Sequence, residues 1–307
     1  MTPADRSDLP EVLRPATLQV GDEVRLVSPA SPPRRDDVLQ TQRTLESWGL
    51  KVSLGDNVFR QFGYLAGTDE ERLGDLNRAL RDPAVRAVVA TRGGKGAYRI
   101  ADRLDFEVVR NDPKYLVGFS DITILHMSLW KNSKIVGLHG ALYRDDARGL
   151  GSESLRAALM TSGPTIVTSR ADETTAELTT SGTARGRLLG GNLDMIATAA
   201  GWALPDLHGA ILFVEAVDLY LGQVDRQLTM LRNAGHLDGI VGVALGQFTN
   251  FRPSKGITIV GLLRDRLSRL NVPILGGLPL GHGDQPATVP LGAMATLDAT
   301  AGTLVVE

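Results

Sequence analysis

The sequence predicts a two-domain α/β protein whose first domain is an open layer built on a parallel sheet. Three observations lead there. Short apolar runs with strand character alternate with helical periods through the first half of the chain. The run VRAVVA at 85–90 is apolar almost throughout, as in a parallel strand covered on both faces. A length of 307 residues is more than one core usually holds, which favours a second domain.

Taken in order, residues 1–19 read as a polar tail. VRLV at 24–27 is the first strand, and the serine- and proline-rich residues 28–33 stop it. Val38, Gln42, Leu45 and Trp48 then recur at helical spacing, with Gly49 as the C-terminal stop. Residues 52–54 give a second short strand. Thr68 and Glu71 form a capping box that opens a helix with Leu73, Leu76 and Leu80 on one face. VRAVVA is the next strand, followed by Tyr115, Leu116 and Val117, which Gly118 breaks, and by residues 135–138. Strand–helix alternation of this kind closes with right-handed crossovers and defines an N-terminal α/β domain over 20–160.

The character then changes. Residues 144–187 are rich in Arg, Asp, Ser, Thr and Gly and hold no Phe, Tyr, Trp or His, so 161–186 reads as an inter-domain connection. A smaller α+β domain is expected over 187–307. Gly190, Gly191 and Asn192 mark a turn before a buried helix, and AILFVEAV at 210–217 is an apolar strand holding one acid, Glu215. A helix over 225–234 ends at Gly235, GIVGVALGQF is another buried strand, and residues 257–270 form a helix. VPILGGLPLGHG runs from a strand into a glycine-rich turn with His282, and the last 14 residues alternate as a β-hairpin.

Composition removes several classes of function. Thirty-three basic residues nearly balance 35 acidic ones with no basic stripe, which argues against a nucleic-acid partner. The absence of cysteine removes disulfides, thiol nucleophiles and thiolate metal sites together. The N-terminus lacks the basic-then-apolar pattern of a signal peptide, and no apolar run is long enough to span a membrane. A soluble cytoplasmic protein without a membrane partner is expected. His126, His139, His208, His236 and His282 show no metal-ligand spacing and HExxH is missing, so neither metal nor cofactor is assigned.

Candidate chemistry centres on residues 115–130, YLVGFSDITILHMSLW. Ser120 lies at a strand-to-helix turn, where free backbone N–H groups can stabilise an oxyanion one bond away. A plain helix cap is the alternative. TRGGKG at 91–96 follows the VRAVVA strand, where open α/β sheets place ligands, but it has neither the Walker pattern nor G-x-G-x-x-G. It is either a tight turn or a bare backbone that approaches a reacting oxygen. Glu215 inside an apolar strand needs a partner, whether an arginine such as Arg226 or a catalytic base. His282, flanked by glycines, is expected on a turn open to a cleft. Ser120, Glu215 and His282 supply a nucleophile, an acid and a base, which permits a triad without establishing one.

The surrounding words make the reading specific. SPAS after the first strand, RGGxG, GFSD, LLGGNL, the glutamate of ILFVEAVD, LRNAG, LGQF and LPLGHG occur in order from about Val20 to the C-terminus. In this the chain resembles the LD-carboxypeptidase family of serine peptidases, which includes murein tetrapeptide carboxypeptidases and microcin C immunity hydrolases. The resemblance implies a metal-independent, usually dimeric hydrolase with a flavodoxin-like N-terminal domain and a swivelling β/β/α C-terminal domain. It makes Ser120 the nucleophile, His282 the general base, Glu215 the residue that orients it, and the N–H groups of Gly94 and Asp121 the oxyanion hole. One departure is His139-Gly140-Ala141, where the family has HGP.

The substrate implied is the L,D-bond of a muropeptide, with release of terminal D-Ala in cell-wall recycling. A peptidyl- or aminoacyl-nucleotide, as in microcin C immunity, is the alternative, and a non-catalytic module binding a small anion is a third reading. Immunity-type enzymes present an aromatic ring to the base from the connecting segment. Residues 144–187 offer none, although Tyr143 and Trp202 flank the gap.

Overall fold

In the computed structural model, residues 12–140 and 150–307 are described. The first half alternates as its apolar periods require: β1 (Glu23–Val27), α1 (Arg35–Ser47), β2 (Lys51–Leu54), α2 (Asp69–Arg81), β3 (Val85–Ala90), α3 (Phe106–Asn111), β4 (Tyr115–Gly118), α4 (Thr123–Ser133) and β5 (Gly137–His139). The second half holds α5 (Leu150–Met160), β6 (Thr165–Thr168), β7 (Thr183–Asn192), α6 (Leu193–Ala199), β8 (Ala210–Val217), α7 (Leu221–Asn233), β9 (Gly242–Thr249) and α8 (Ile259–Leu267). The short strands β10 (Ile274–Leu275), β11 (Val289–Leu291), β12 (Met294–Asp298) and β13 (Thr303–Val306) complete it.

The strands form two sheets. The first runs β11-β5-β4-β3-β1-β2, and its parallel part has the 2-1-3-4-5 order of flavodoxin-like folds. The second runs β10-β9-β8-β7-β12-β13-β6, parallel from β10 to β7 and antiparallel beyond. The capping box at α2 is complete: the Thr68 hydroxyl accepts the Glu71 N–H at 3.2 Å and the Glu71 carboxylate accepts the Thr68 N–H at 2.8 Å. Helix α4 is buried along nearly its whole circumference, because it packs against both halves of the molecule. Its Ile124 and Leu125 share one core with Leu189 of β7 and Ile196 of α6.

Several segments depart from their reading in the sequence or are unassigned by it. Residues 12–19 are held down: Leu18 is buried, and Leu13 exchanges backbone hydrogen bonds with Lys134 and Val136. Strand β6, within the expected connection, pairs with β13 at the edge of the second sheet. Strand β11, far along the chain, pairs antiparallel with β5 of the first sheet. In each case the decisive partner lies far away in sequence, and local periodicity carries no trace of it. Gly190, Gly191 and Asn192, read as a turn, are the last residues of β7.

Candidate active site

In an open sheet of this order the crevice lies beyond the carboxyl ends of the strands, where the order reverses between β1 and β3. Three loops meet there. After β1, Ser31 donates its hydroxyl to the Tyr64 carbonyl at 2.9 Å, accepts the Lys95 N–H at 3.0 Å, and gives its own N–H to the Gly93 carbonyl at 3.2 Å. After β3, Gly93 passes so close to the next loop that a Cβ there would lie 2.9 Å from Cβ of Ser120. After β4, Ser120 opens one turn of 3-10 helix with φ of 62°, a left-handed conformation that costs a non-glycine residue energy. The chain accepts that strain where it swings the serine out of the sheet.

Ser120 is half-buried, and among the described residues its hydroxyl makes no hydrogen bond. The N–H groups of Gly94 and Asp121 are likewise without partners among the described residues. The Asp121 carboxylate turns inward, where Oδ2 accepts the Ala97 N–H at 2.8 Å and ties the nucleophile turn to the glycine loop. Its burial pushes its pKa up to about 6, against the opposing pull of the Ala97 hydrogen bond and of Lys95 and Arg72.

The second sheet delivers the acid and the imidazole. Glu215 is fully buried in β8, beside a register shift in which Val214 faces Leu245 and Ala216 faces Phe248. Its Oε2 lies 2.7 Å from Nδ1 of His282, and its Oε1 accepts the Asn192 side-chain N–H at 2.9 Å. The buried acid therefore meets its needs through His282 and Asn192, and Arg226 is not its partner. The loop comes this close because residue 281 is glycine: a Cβ there would lie 2.8 Å from Oε2 of Glu215. Asn192 reaches the other domain as well, giving its backbone N–H to the Thr123 hydroxyl of α4 at 3.1 Å.

A column of rings joins the two halves. Phe213 meets His139 edge-on at 4.8 Å, His139 meets Phe119 at 5.8 Å, and Phe119 lies against His282 with centroids 4.7 Å apart. Burial holds the His139 pKa well below the usual histidine range, so that ring stays neutral. Thus His282 contacts Glu215 directly and the residue before Ser120 directly. With Nδ1 facing a carboxylate, Nε2 is the nitrogen left to exchange a proton.

Sequence reasoning named Ser120, Glu215, His282, Gly94 and Asp121 but gave no role to Ser31, Thr123, Asn192 or Gln247. Three of these four stand in the quoted words SPAS, LLGGNL and LGQF. The signal was therefore visible, although no local pattern says what each one bonds. Tyr143 and Ala141 lie outside the described residues. A groove lined by Arg14, Ser154, Pro164 and Glu307 adjoins Tyr115, at the end of β4 opposite Ser120, and is separate from this site.

Two family models match, LD-carboxypeptidase N-terminal domain over residues 24–140 and LD-carboxypeptidase C-terminal domain over 185–297. A Bacillus subtilis protein named "Probable murein peptide carboxypeptidase" is 34% identical, across 96% of this chain and 94% of its own. The crystal structure of muramoyltetrapeptide carboxypeptidase from Oxalobacter formigenes is similar with a TM-score of 0.82 at 30% identity, covering 92% of this chain and 97% of that one. The microcin C7 self-immunity protein MccF, in complex with aspartyl sulfamoyl adenosine, shares the fold with a TM-score of 0.85 at 22% identity over 96% of this chain and 98% of that one.

Proposed function

The chain belongs to the LD-carboxypeptidase family, and from that premise we propose that it is a serine peptidase cleaving the L,D-peptide bond of muropeptides, releasing a terminal D-Ala. The observation that carries this reading is the buried Glu215–His282 contact of 2.7 Å set against the Phe119-Ser120 turn. Ser120 is the nucleophile: its oxygen attacks the amide carbonyl as its proton passes to Nε2 of His282. Glu215 accepts the Nδ1–H, which fixes the tautomer and favours the imidazolium once it forms. The unpartnered N–H groups of Gly94 and Asp121 stabilise the oxyanion. His282 then protonates the departing amine and afterwards deprotonates the water that hydrolyses the acyl-enzyme.

Ser120 comes from the domain over 20–160 and the other two members from that over 187–307, so the reading sets catalysis between the domains. It further makes the protein a cytoplasmic enzyme that acts as a homodimer without metal or cofactor. Among the described residues, no helix is long and apolar enough to cross a membrane. Incubating the purified protein with murein tetrapeptide and following D-Ala release by mass spectrometry tests the reaction. Ser120→Ala is expected to fold normally and to lose about 10⁴-fold or more of the rate, since triad members act as a unit. A variant keeping a tenth of the wild-type rate removes Ser120 as nucleophile.

A further inference from the structure

The loop that carries His282 rests on one buried amide. Gln247 of β9 is only 1% exposed, and all of its polar side-chain atoms are engaged. Its Oε1 accepts the Gly283 N–H at 2.8 Å; its Nε2 donates to the Asp284 carbonyl at 3.2 Å and to the Glu173 carboxylate at 2.8 Å. The Gln247 backbone N–H donates to the Leu280 carbonyl at 2.8 Å. One residue thus grips the loop two residues before His282 and again at the two residues after it. The packing leaves no slack, because a Cβ at Gly283 would lie 2.4 Å from Nε2 of Gln247. Gln247 also stands at the register shift opposite Glu215, so the acid and the amide that holds the His282 loop flank one strand irregularity.

The amide can sit only one way round. Gly283 N–H requires an acceptor and the Glu173 carboxylate requires a donor, so these two partners fix which end of the amide is oxygen. Glu173 comes from the segment between β6 and β7, and its own carboxylate lies 3.9 Å from the Arg170 guanidinium. Glu173 thereby ties that segment to the catalytic loop through the Gln247 amide.

We propose that Gln247, oriented by Glu173, is a positioning residue that holds the 280–284 loop so that Nδ1 of His282 stays on Glu215 and Nε2 faces Ser120. The proposal rests on the serine-peptidase reading for its effect on rate, but its geometric content stands apart from the choice of substrate.

Gln247→Glu tests it at nearly constant volume. The new carboxylate keeps an acceptor for Gly283, loses both donor bonds, and faces the carboxylate of Glu173. We expect kcat on the tetrapeptide to fall about 10- to 100-fold, as a misplaced base requires. KM should stay within about threefold, because ground-state binding is untouched. The downfield proton NMR signal expected in the wild type from the His282 Nδ1–H···Glu215 bond should broaden or vanish. Adding Glu173→Gln turns the pair round, with the new amide donating to the new carboxylate. The double variant should recover at least about tenfold of any loss in kcat near the upper end of that range and regain the proton signal. Gln247→Met, uncharged and of similar size, should reproduce the loss if the Glu variant fails to fold. A wild-type kcat with an unchanged proton signal in Gln247→Glu or Gln247→Met overturns the proposal, as does a double variant no better than the single one. If the wild type leaves the tetrapeptide intact, the substrate reading fails instead, and the proton signal across the same variants still decides the role of Gln247.

Discussion

A serine held at a φ of 62° and an aspartate buried beside it put two unfavourable choices on neighbouring residues. The aspartate makes the pair testable through pH. With its folded-state pKa raised from 3.8 to about 6, Asp121 holds its proton more tightly in the native state than in the unfolded chain. Stability from this group is therefore greatest below about 4, falls as pH rises from about 4 to 6, and levels off above. The two-unit gap corresponds to a loss on the order of 2–3 kcal/mol. Carboxylates held low by arginine or lysine partners, such as Asp69 and Asp112, slope the opposite way, but only below about 4. Asp121→Asn keeps an acceptor for the Ala97 N–H and removes the titration. Urea unfolding at pH 4.5 and 7.5 should show the variant gaining on the wild type as pH rises. A constant difference between the two proteins across that range would rule out Asp121 as the source.

At this scale much of the candidate site was legible. Ser120, Glu215 and His282 each break a local rule: a hydroxyl at a strand end, an acid in an apolar strand, a histidine between glycines. Asn192 and Gln247 break none, because a buried amide reveals itself only through its partners. Those partners, Glu215 and Gly283, lie 23 and 36 residues away.

Among the elements, local signals read well and long-range pairings did not. The capping box of α2, the VRAVVA strand and the β12–β13 hairpin follow from neighbours in sequence. Strands β6 and β11 are only four and three residues long, and what makes them strands is an edge supplied from elsewhere. The junction between α4 and β7 is of the same kind. The Asn192 N–H at the end of β7 reaches the Thr123 hydroxyl at the start of α4, three residues after Ser120, and both residues are buried. Thr123→Val keeps the shape and removes the acceptor, leaving a buried N–H unsatisfied. A loss of about 1–3 kcal/mol is expected in chemical denaturation, with Thr123→Ser close to the wild type. Equal stability of the Val and Ser variants would mean that the two sheets are held together without this bond.

For the whole molecule, substrate choice turns on what the surface around Ser120 and His282 offers a nucleobase. A nucleotide substrate needs a ring to stack on its base, worth roughly 1–3 kcal/mol per base. The connecting segment described here supplies Arg170 and Glu173 and carries no aromatic side chain from residue 150 to 187. Trp202, 39% exposed, is committed elsewhere: its indole N–H donates to the Thr198 carbonyl at 2.7 Å, and its own carbonyl accepts from Lys131 at 2.6 Å. Phe59, Phe62 and Tyr64 are exposed on the loop following β2, and Tyr220, 82% exposed, on the loop following β8. None lies in the connecting segment. A peptide, by contrast, needs no stacking ring: on the proposed mechanism its reacting carbonyl needs only the backbone donors at Gly94 and Asp121. The expectation is that kcat/KM for murein tetrapeptide exceeds that for aspartyl sulfamoyl adenosine, measured side by side on one preparation. Replacing Tyr220 with Ala should leave the tetrapeptide rate within about threefold, since a peptide gains little from a stacking ring. A preference of tenfold or more for the adenosine compound, lost on Tyr220→Ala, would identify Tyr220 as a base platform and make nucleotide-linked amides the substrate.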